Sequence, residues 1–131
     1  MPLKGRNRVE RELRDRAEQL ARALVLEAAR RIILRTPVDT GRARANWQVV
    51  IGSPSPVLTA GTDRSGREGI AKAQQVAAEV TLDDEIYIVN GLAYIPALED
   101  GHSDQAPDGM IAVTVSELQP LVDHLVRMMN G

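Results

Sequence analysis

Val9-Glu-Arg-Glu-Leu13-Arg-Asp-Arg-Ala17-Glu-Gln-Leu20-Ala-Arg-Ala-Leu24-Val-Leu-Glu-Ala28-Ala-Arg-Arg-Ile32-Ile-Leu-Arg35-Thr36-Pro37 is the stretch on which the fold turns. Val9, Leu13, Ala17, Leu20, Leu24, Ala28 and Ile32 recur every three or four positions. That spacing gathers apolar side chains on one face of an α-helix. Glu and Arg fill the other faces, with Glu10–Arg14 and Glu18–Arg22 at the supportive i,i+4 spacing. Pro37 disfavours helical backbone at Thr36 and closes the run. The pattern predicts a helix from Arg8 to Arg35, about 42 Å long at about 1.5 Å per residue. In a chain of 131 residues, such a helix either spans the domain or projects toward a partner.

Upstream, residues 1–7 are basic and contain Pro2 and Gly5, and read as a flexible arm. Residues 8–131 have the length of a single domain. Downstream, Asp39-Thr40-Gly41 turns the chain. Trp47–Ile51 reads as a strand, Gly52-Ser-Pro-Ser-Pro56 breaks it, and 57–66 reads as an exposed loop. The alanine-rich stretch 67–81 sets Ile70, Ala73, Ala77 and Val80 on one helical face. After a turn at Asp83-Asp84, Glu85–Val89 is a second strand, closed by Asn90-Gly91. A short helical turn at Tyr94–Glu99 brings Ile95 and Leu98 together. Residues 110–116 fit two periods: Ile111, Val113 and Val115 alternate as in a strand, while Met110, Val113, Glu117, Leu121, Leu125 and Met128 form a helical stripe. Helix is favoured for most of 109–129, with a bend near Pro120, where Ser116 and Gln119 could cap a fresh helix. The fold class is therefore α+β: a long N-terminal helix, a small antiparallel sheet, and further helices including one at the C-terminus.

Phe is absent, and Trp47, Tyr87 and Tyr94 are the aromatic residues. The core must come from aliphatic side chains and Met, with Trp47 as its anchor at the start of the first strand. At about 25 cal/mol per Å2 buried, many small side chains give a modest total, and neighbouring subunits would complete the apolar burial. Cysteine is absent, which excludes disulfides and thiolate metal sites. No apolar run approaches the ~20 residues that span a bilayer. Lys4, Arg6 and Arg8 lack the apolar stretch of a signal peptide, so no membrane or secreted role is expected. Net charge is −2 but divided: residues 1–50 carry 12 Lys/Arg against 6 Asp/Glu, and residues 51–131 carry 4 against 12. Such a split suits copies packing basic part to acidic part, and equally an ordinary charged surface.

A second informative stretch is Asn90-Gly-Leu-Ala-Tyr94-Ile-Pro-Ala-Leu-Glu99-Asp-Gly-His102-Ser-Asp-Gln105-Ala-Pro107-Asp-Gly-Met110. Its prolines and glycines predict a pre-shaped loop with little freedom to lose. Glu99, His102, Asp104 and Gln105 on such a loop read as docking residues, as do Arg42 and Arg44 beside the first turn. Tyr94 serves either the core or an interface. Asp39, Thr40, Gly41 and Pro107 set loop shape. Catalytic readings fare worse. Asp39-Thr40-Gly41 matches the aspartic-protease triplet, but it follows a charged helix, is trailed by Arg42, and lacks a glycine-rich flap. Glu99, Asp100, His102, Asp104 and Asp108 lack a second histidine at ligand spacing, and His124 is distant, so no metal or other cofactor is expected. The serines lie in no nucleophile elbow, and no phosphate-binding loop is present. No enzyme is predicted. Lys4, Arg6, Arg8, Arg11, Arg14 and Arg16 keep non-specific DNA binding open as the alternative function, although Glu10, Glu12 and Asp15 interleave them and no aromatic platform accompanies them.

Two motifs together carry a resemblance: Thr36-Pro-Val-Asp39-Thr40-Gly41-Arg-Ala-Arg44-Ala-Asn-Trp47, and the loop stretch with its order Asn-Gly-Leu-Ala-Tyr, Leu-Glu-Asp-Gly-His-Ser and Gln-Ala-Pro-Asp-Gly-Met. In this order and spacing the chain resembles the minor tail component, or tail completion, family of long-tailed bacteriophages over roughly residues 8–129. It departs from that pattern at Ala43, usually a larger aliphatic residue, and at Asp100, commonly neutral. The resemblance implies a structural virion protein of the neck or proximal tail, made in the host bacterial cytoplasm. It implies a homo-oligomeric ring, most simply a hexamer. Its partners would be other copies and a tail terminator, tail tube or head connector, with DNA contact at most incidental.

Overall fold

The computed structural model describes residues 2–130, and the side chains from Asn7 to Asn130. The elements run α1 (Pro2–Arg35), α2 (Arg42–Ala45), β1 (Trp47–Ile51), α3 (Arg67–Ala77), β2 (Ile86–Asn90), α4 (Ile95–Glu99) and α5 (Ile111–Asn130). This is an α+β fold with a long N-terminal helix, a small sheet and a C-terminal helix. β1 and β2 pair antiparallel with Trp47 opposite Asn90 and Ile51 opposite Ile86. A lone pair of strands is marginal in water, so this one leans on α1 and α3.

α1 is the spine, about 51 Å long at about 1.5 Å per residue. Both α3 and α5 pack along it, and both run antiparallel to it. Gly66 and Gly69 lie against Ile33, whereas Arg22 donates from Nε to the Val80 carbonyl at 2.8 Å, beyond the far end of α3. Small residues explain the close approach: a Cβ at Gly69 would stand 3.3 Å from Ile33 Cδ1. On the other side, Arg35 Nη1 donates to Thr114 Oγ1 at 2.8 Å and Arg35 Nη2 to Glu117 Oε2 at 2.6 Å, while Arg31 Nη1 reaches Glu117 Oε1 at 3.2 Å.

The main core gathers at the C-terminal end of α1: Ile32, Ile33, Trp47, Leu92, Ile95 and Met110 are buried together. Trp47 is tied in by a chain of bonds. Its Nε1 donates to Thr36 Oγ1 at 2.7 Å, and that hydroxyl donates to the Ile32 carbonyl at 2.7 Å. The Thr36 hydroxyl thus both ends the helix and satisfies the buried indole.

Several boundaries differ from the sequence reading. The helix begins at Pro2 rather than Arg8, so residues 2–7, read as a flexible arm, continue α1; proline is well tolerated in the first helical turn. Along the apolar stripe, Ala17, Leu24 and Ile32 are buried, but Val9 and Leu13 remain 54% and 43% exposed. The loop 57–66 is not exposed throughout, because Asp63 and Gly66 are buried. Residues 111–115 are helical, and α5 runs through Pro120 as one helix rather than restarting there.

Candidate functional site

The two motif segments meet at the end of α1. Arg44 caps that end: its Nε donates to the Thr36 carbonyl at 2.9 Å, Nη2 to the Leu34 carbonyl at 2.9 Å, and Nη1 to the Arg64 carbonyl at 2.8 Å. A cation on orphan carbonyls at a helix C-terminus offsets both the unmet hydrogen bonds and the helix dipole. Gly41 has φ 93° and lies so close to the 63–64 backbone that an added Cβ would stand 2.7 Å from Arg64 N. Asp63 N donates to the Gly41 carbonyl at 2.9 Å, and Arg64 Nη2 donates to the Asp39 carbonyl at 2.6 Å. Thr40 Oγ1 accepts the Arg42 N–H at 3.2 Å. The Asp39-Thr40-Gly41 turn is thus shaped by glycine and clamped by the 63–64 segment. The Asp39 side chain is exposed.

The second segment is clamped as tightly. Glu99 Oε1 accepts the N–H groups of Met110 and Ile111, each at 2.8 Å, and Oε2 accepts that of Ala112 at 2.9 Å. The carboxylate therefore caps the start of α5, where helix N–H groups lack partners and the dipole favours an anion. Burial pushes its pKa up, but the three backbone donors Ala112, Ile111 and Met110 outweigh that and hold it below the usual carboxylate value. Gly101 and Gly109, at φ 86° and 78°, let the loop close on the carbonyls of Pro107 and Glu99. Gln105 joins the two segments: its Oε1 accepts Val38 N–H at 2.9 Å and its Nε2 donates to the Val38 carbonyl at 3.1 Å.

Of the expected docking residues, Arg44, Glu99 and Gln105 are thus engaged inside the molecule. The physical reason is common to the three: each satisfies backbone groups that the turns leave unpaired. Arg42, Tyr94, His102 and Asp104 are exposed, Tyr94 at 43%. Asp100 and Asp108 are exposed on the same loop. Together they give a rim with three carboxylates and one imidazole on a rigid support, suited to a cationic or hydrogen-bond-donating partner surface. Among the described residues, no group of three or more His, Asp or Glu is arranged to hold a metal ion, and no helix is long and apolar enough to cross a membrane.

Other structural residues were missed in the sequence. Asp63, at 8% exposure, accepts Gly66 N–H at Oδ1 (3.1 Å) and Gly69 N–H at Oδ2 (2.8 Å), fixing the start of α3. The usual capping position itself holds Gly66, so no standard helix-start pattern marks Asp63. Asn46, fully buried, donates from Nδ2 to the Arg42 and Thr59 carbonyls and accepts Thr59 N–H at Oδ1. Gln48 makes a similar pair with the backbone of Val57. These two amides pin the 56–60 stretch against the protein, although Val57 and Leu58 remain 73% and 55% exposed. Nothing local marks such long-range amide pairings. No protein-family model, curated protein or solved structure matches the chain.

Proposed function

We propose that this chain is a structural virion protein of the neck or proximal tail of a long-tailed bacteriophage, acting in a homo-oligomeric ring, most simply a hexamer, that completes the tail or joins it to the head. The reading rests on the two motifs and their resemblance. One structural observation supports it: in the two motif segments Arg44, Glu99 and Gln105 spend their polar groups on fixing loop shape, and the Gln105–Val38 pairing locks one segment to the other. A loop clamped at Glu99, Gly101 and Gly109 has little entropy left to lose on docking, which favours a permanent contact over chemistry on a diffusible substrate. On this reading the protein is not an enzyme and needs no cofactor. Its partners are other copies and a terminator, tube or connector protein, and its location is the virion after synthesis in bacterial cytoplasm.

DNA binding is the weaker reading. Arg8 lies 4.0 Å from Glu12, and Arg14 lies 3.0 Å from Asp83, so part of the basic run already faces carboxylates. The test is complementation of the silenced gene. Because Glu99 holds α5, the docking variant should spare it and reverse the exposed rim instead. Asp104→Lys combined with Asp108→Lys should leave circular dichroism unchanged and lower infectious particles by about tenfold or more. Normal titres from a folded variant would sink the docking role of this rim.

A further inference from the structure

Where α1, α3 and β1 meet, the interior is not filled. A cavity of about 160 Å3 lies there, walled by Ala29 and Ile33 of α1, Trp47 of β1, Ala73 of α3 and Ile88 of β2. Its origin lies in the composition. Phe is absent from the chain, and the helices bring Ala29, Gly69 and Ala73 to the space, so nothing bulky reaches across it. Native interiors hold few voids larger than one water. This one has the volume of about five waters, at roughly 30 Å3 each.

The walls suit an apolar body. Ala29, Ile33, Trp47 and Ala73 are buried. Two polar groups beside the cavity are already spent: Trp47 Nε1 on the Thr36 hydroxyl at 2.7 Å, and the Gln48 amide on the Val57 backbone. A buried water needs two to four polar partners, so water fills such a space poorly. The mouth differs. Residues 47–50 of β1 all line the cavity; their side chains alternate between the two faces of the sheet, so the cavity opens along the strand's edge. Gly52 N–H donates to the Glu85 carbonyl at 2.8 Å, one step beyond the Ile51–Ile86 pair. Alternation along the ladder therefore turns the backbone groups of Gln48 and Val50 toward β2 and those of Val49 away from it. Lys72 is exposed at the same mouth. Among the described residues, its ammonium has no hydrogen bond or ion pair.

We infer that this cavity is a binding site for a small carboxylate with a compact apolar tail, branched aliphatic or a single aromatic ring. Volume sets the tail: an apolar cavity of about 150 Å3 takes a benzene ring, and a long chain does not fit. The mouth sets the head. The Lys72 ammonium and the outward Val49 N–H offer a cation and a donor to one anionic acceptor. A cationic ligand meets like charge at Lys72, and a neutral one is held by its tail alone. The site uses none of the rim residues and requires nothing of the neck or tail reading.

Trp47 is the only tryptophan and stands in the wall, so its fluorescence reports occupancy. The experiment titrates the purified full chain with 3-phenylpropionate, with benzene as the ring without the head, and with acetate as the head without the tail. 3-Phenylpropionate should change Trp47 emission saturably and raise Tm, benzene should do so more weakly, and acetate not at all. Lys72→Gln, at an exposed side chain, should weaken 3-phenylpropionate about threefold and leave benzene unchanged. Ala73→Leu should fill the cavity and abolish both responses. Should that variant fold poorly, amide chemical shifts of the wild type take its place, with the ligand expected to move Ala29, Val49 and Ala73. A wild type without a saturable response, shifts centred elsewhere in the chain, a folded Ala73→Leu that still binds, or Lys72→Gln binding 3-phenylpropionate as the wild type does would each overturn the inference.

Discussion

Glu99, expected from the sequence as a docking residue, has a task within its own chain. Its carboxylate holds three backbone N–H groups at the start of α5. Glu99→Ala should therefore cost about 2 kcal/mol in urea unfolding. Its pKa is lowered on folding from the ordinary 4.5. The charge thus stabilises the fold fully above that value and progressively less as pH falls through the lower folded value. The deficit of Glu99→Ala should accordingly shrink in acid; a deficit constant from neutral pH to well below that range would contradict the capping role. Gly41 is constrained by space and by φ together, and Gly41→Ala should lose about 2 kcal/mol or more. Asp39→Asn, two residues away on an exposed side chain, should change stability by no more than about 0.5 kcal/mol. A larger loss there would mean that the carboxylate has a task the turn alone does not give it.

Elements were legible where the period was long and a stop signal was sharp. The apolar stripe and Thr36-Pro37 gave the body and end of α1, and both strands were placed within a residue of β1 and β2. The start of α5 was not legible, because Ile111, Val113 and Val115 satisfy a strand and a helix equally. The tie is broken by Glu99, at 11 to 13 residues' separation, which no local window contains. The internal bonds of the expected docking residues were hidden for a related reason: Arg44, Glu99 and Gln105 look free in sequence, and their partners are backbone groups brought close only by folding. Pro120 lies inside α5 on its exposed side. There it removes one helix N–H and crowds the carbonyl one turn earlier, so Pro120→Ala should stabilise the protein by about 1 kcal/mol or more and raise Tm. A lower Tm would show that the proline shapes a contact rather than merely being tolerated.

At the scale of the whole molecule, the division of charge along the sequence takes on a different meaning. The sequence left that split open between copies meeting basic part to acidic part and an ordinary charged surface. In the folded chain some of those groups already meet within one copy: Arg31 and Arg35 with Glu117, and Arg14 with Asp83. These pairs are partly or largely exposed, and each is worth only about 0.2–1 kcal/mol. They orient α5 and the α3–β2 connection on the spine more than they stabilise it. What remains for other molecules is an acidic rim on a rigid loop at one end and, at the other, an exposed turn of α1 that carries Val9 and Leu13 among charged residues.

The most direct measurement is electron microscopy of particles made when this gene is silenced in the replicon that carries it. The account predicts DNA-filled heads beside separate tails, or tails of abnormal length, with joining restored by the wild-type chain. Intact, joined and infectious particles in its absence would contradict the neck or tail role.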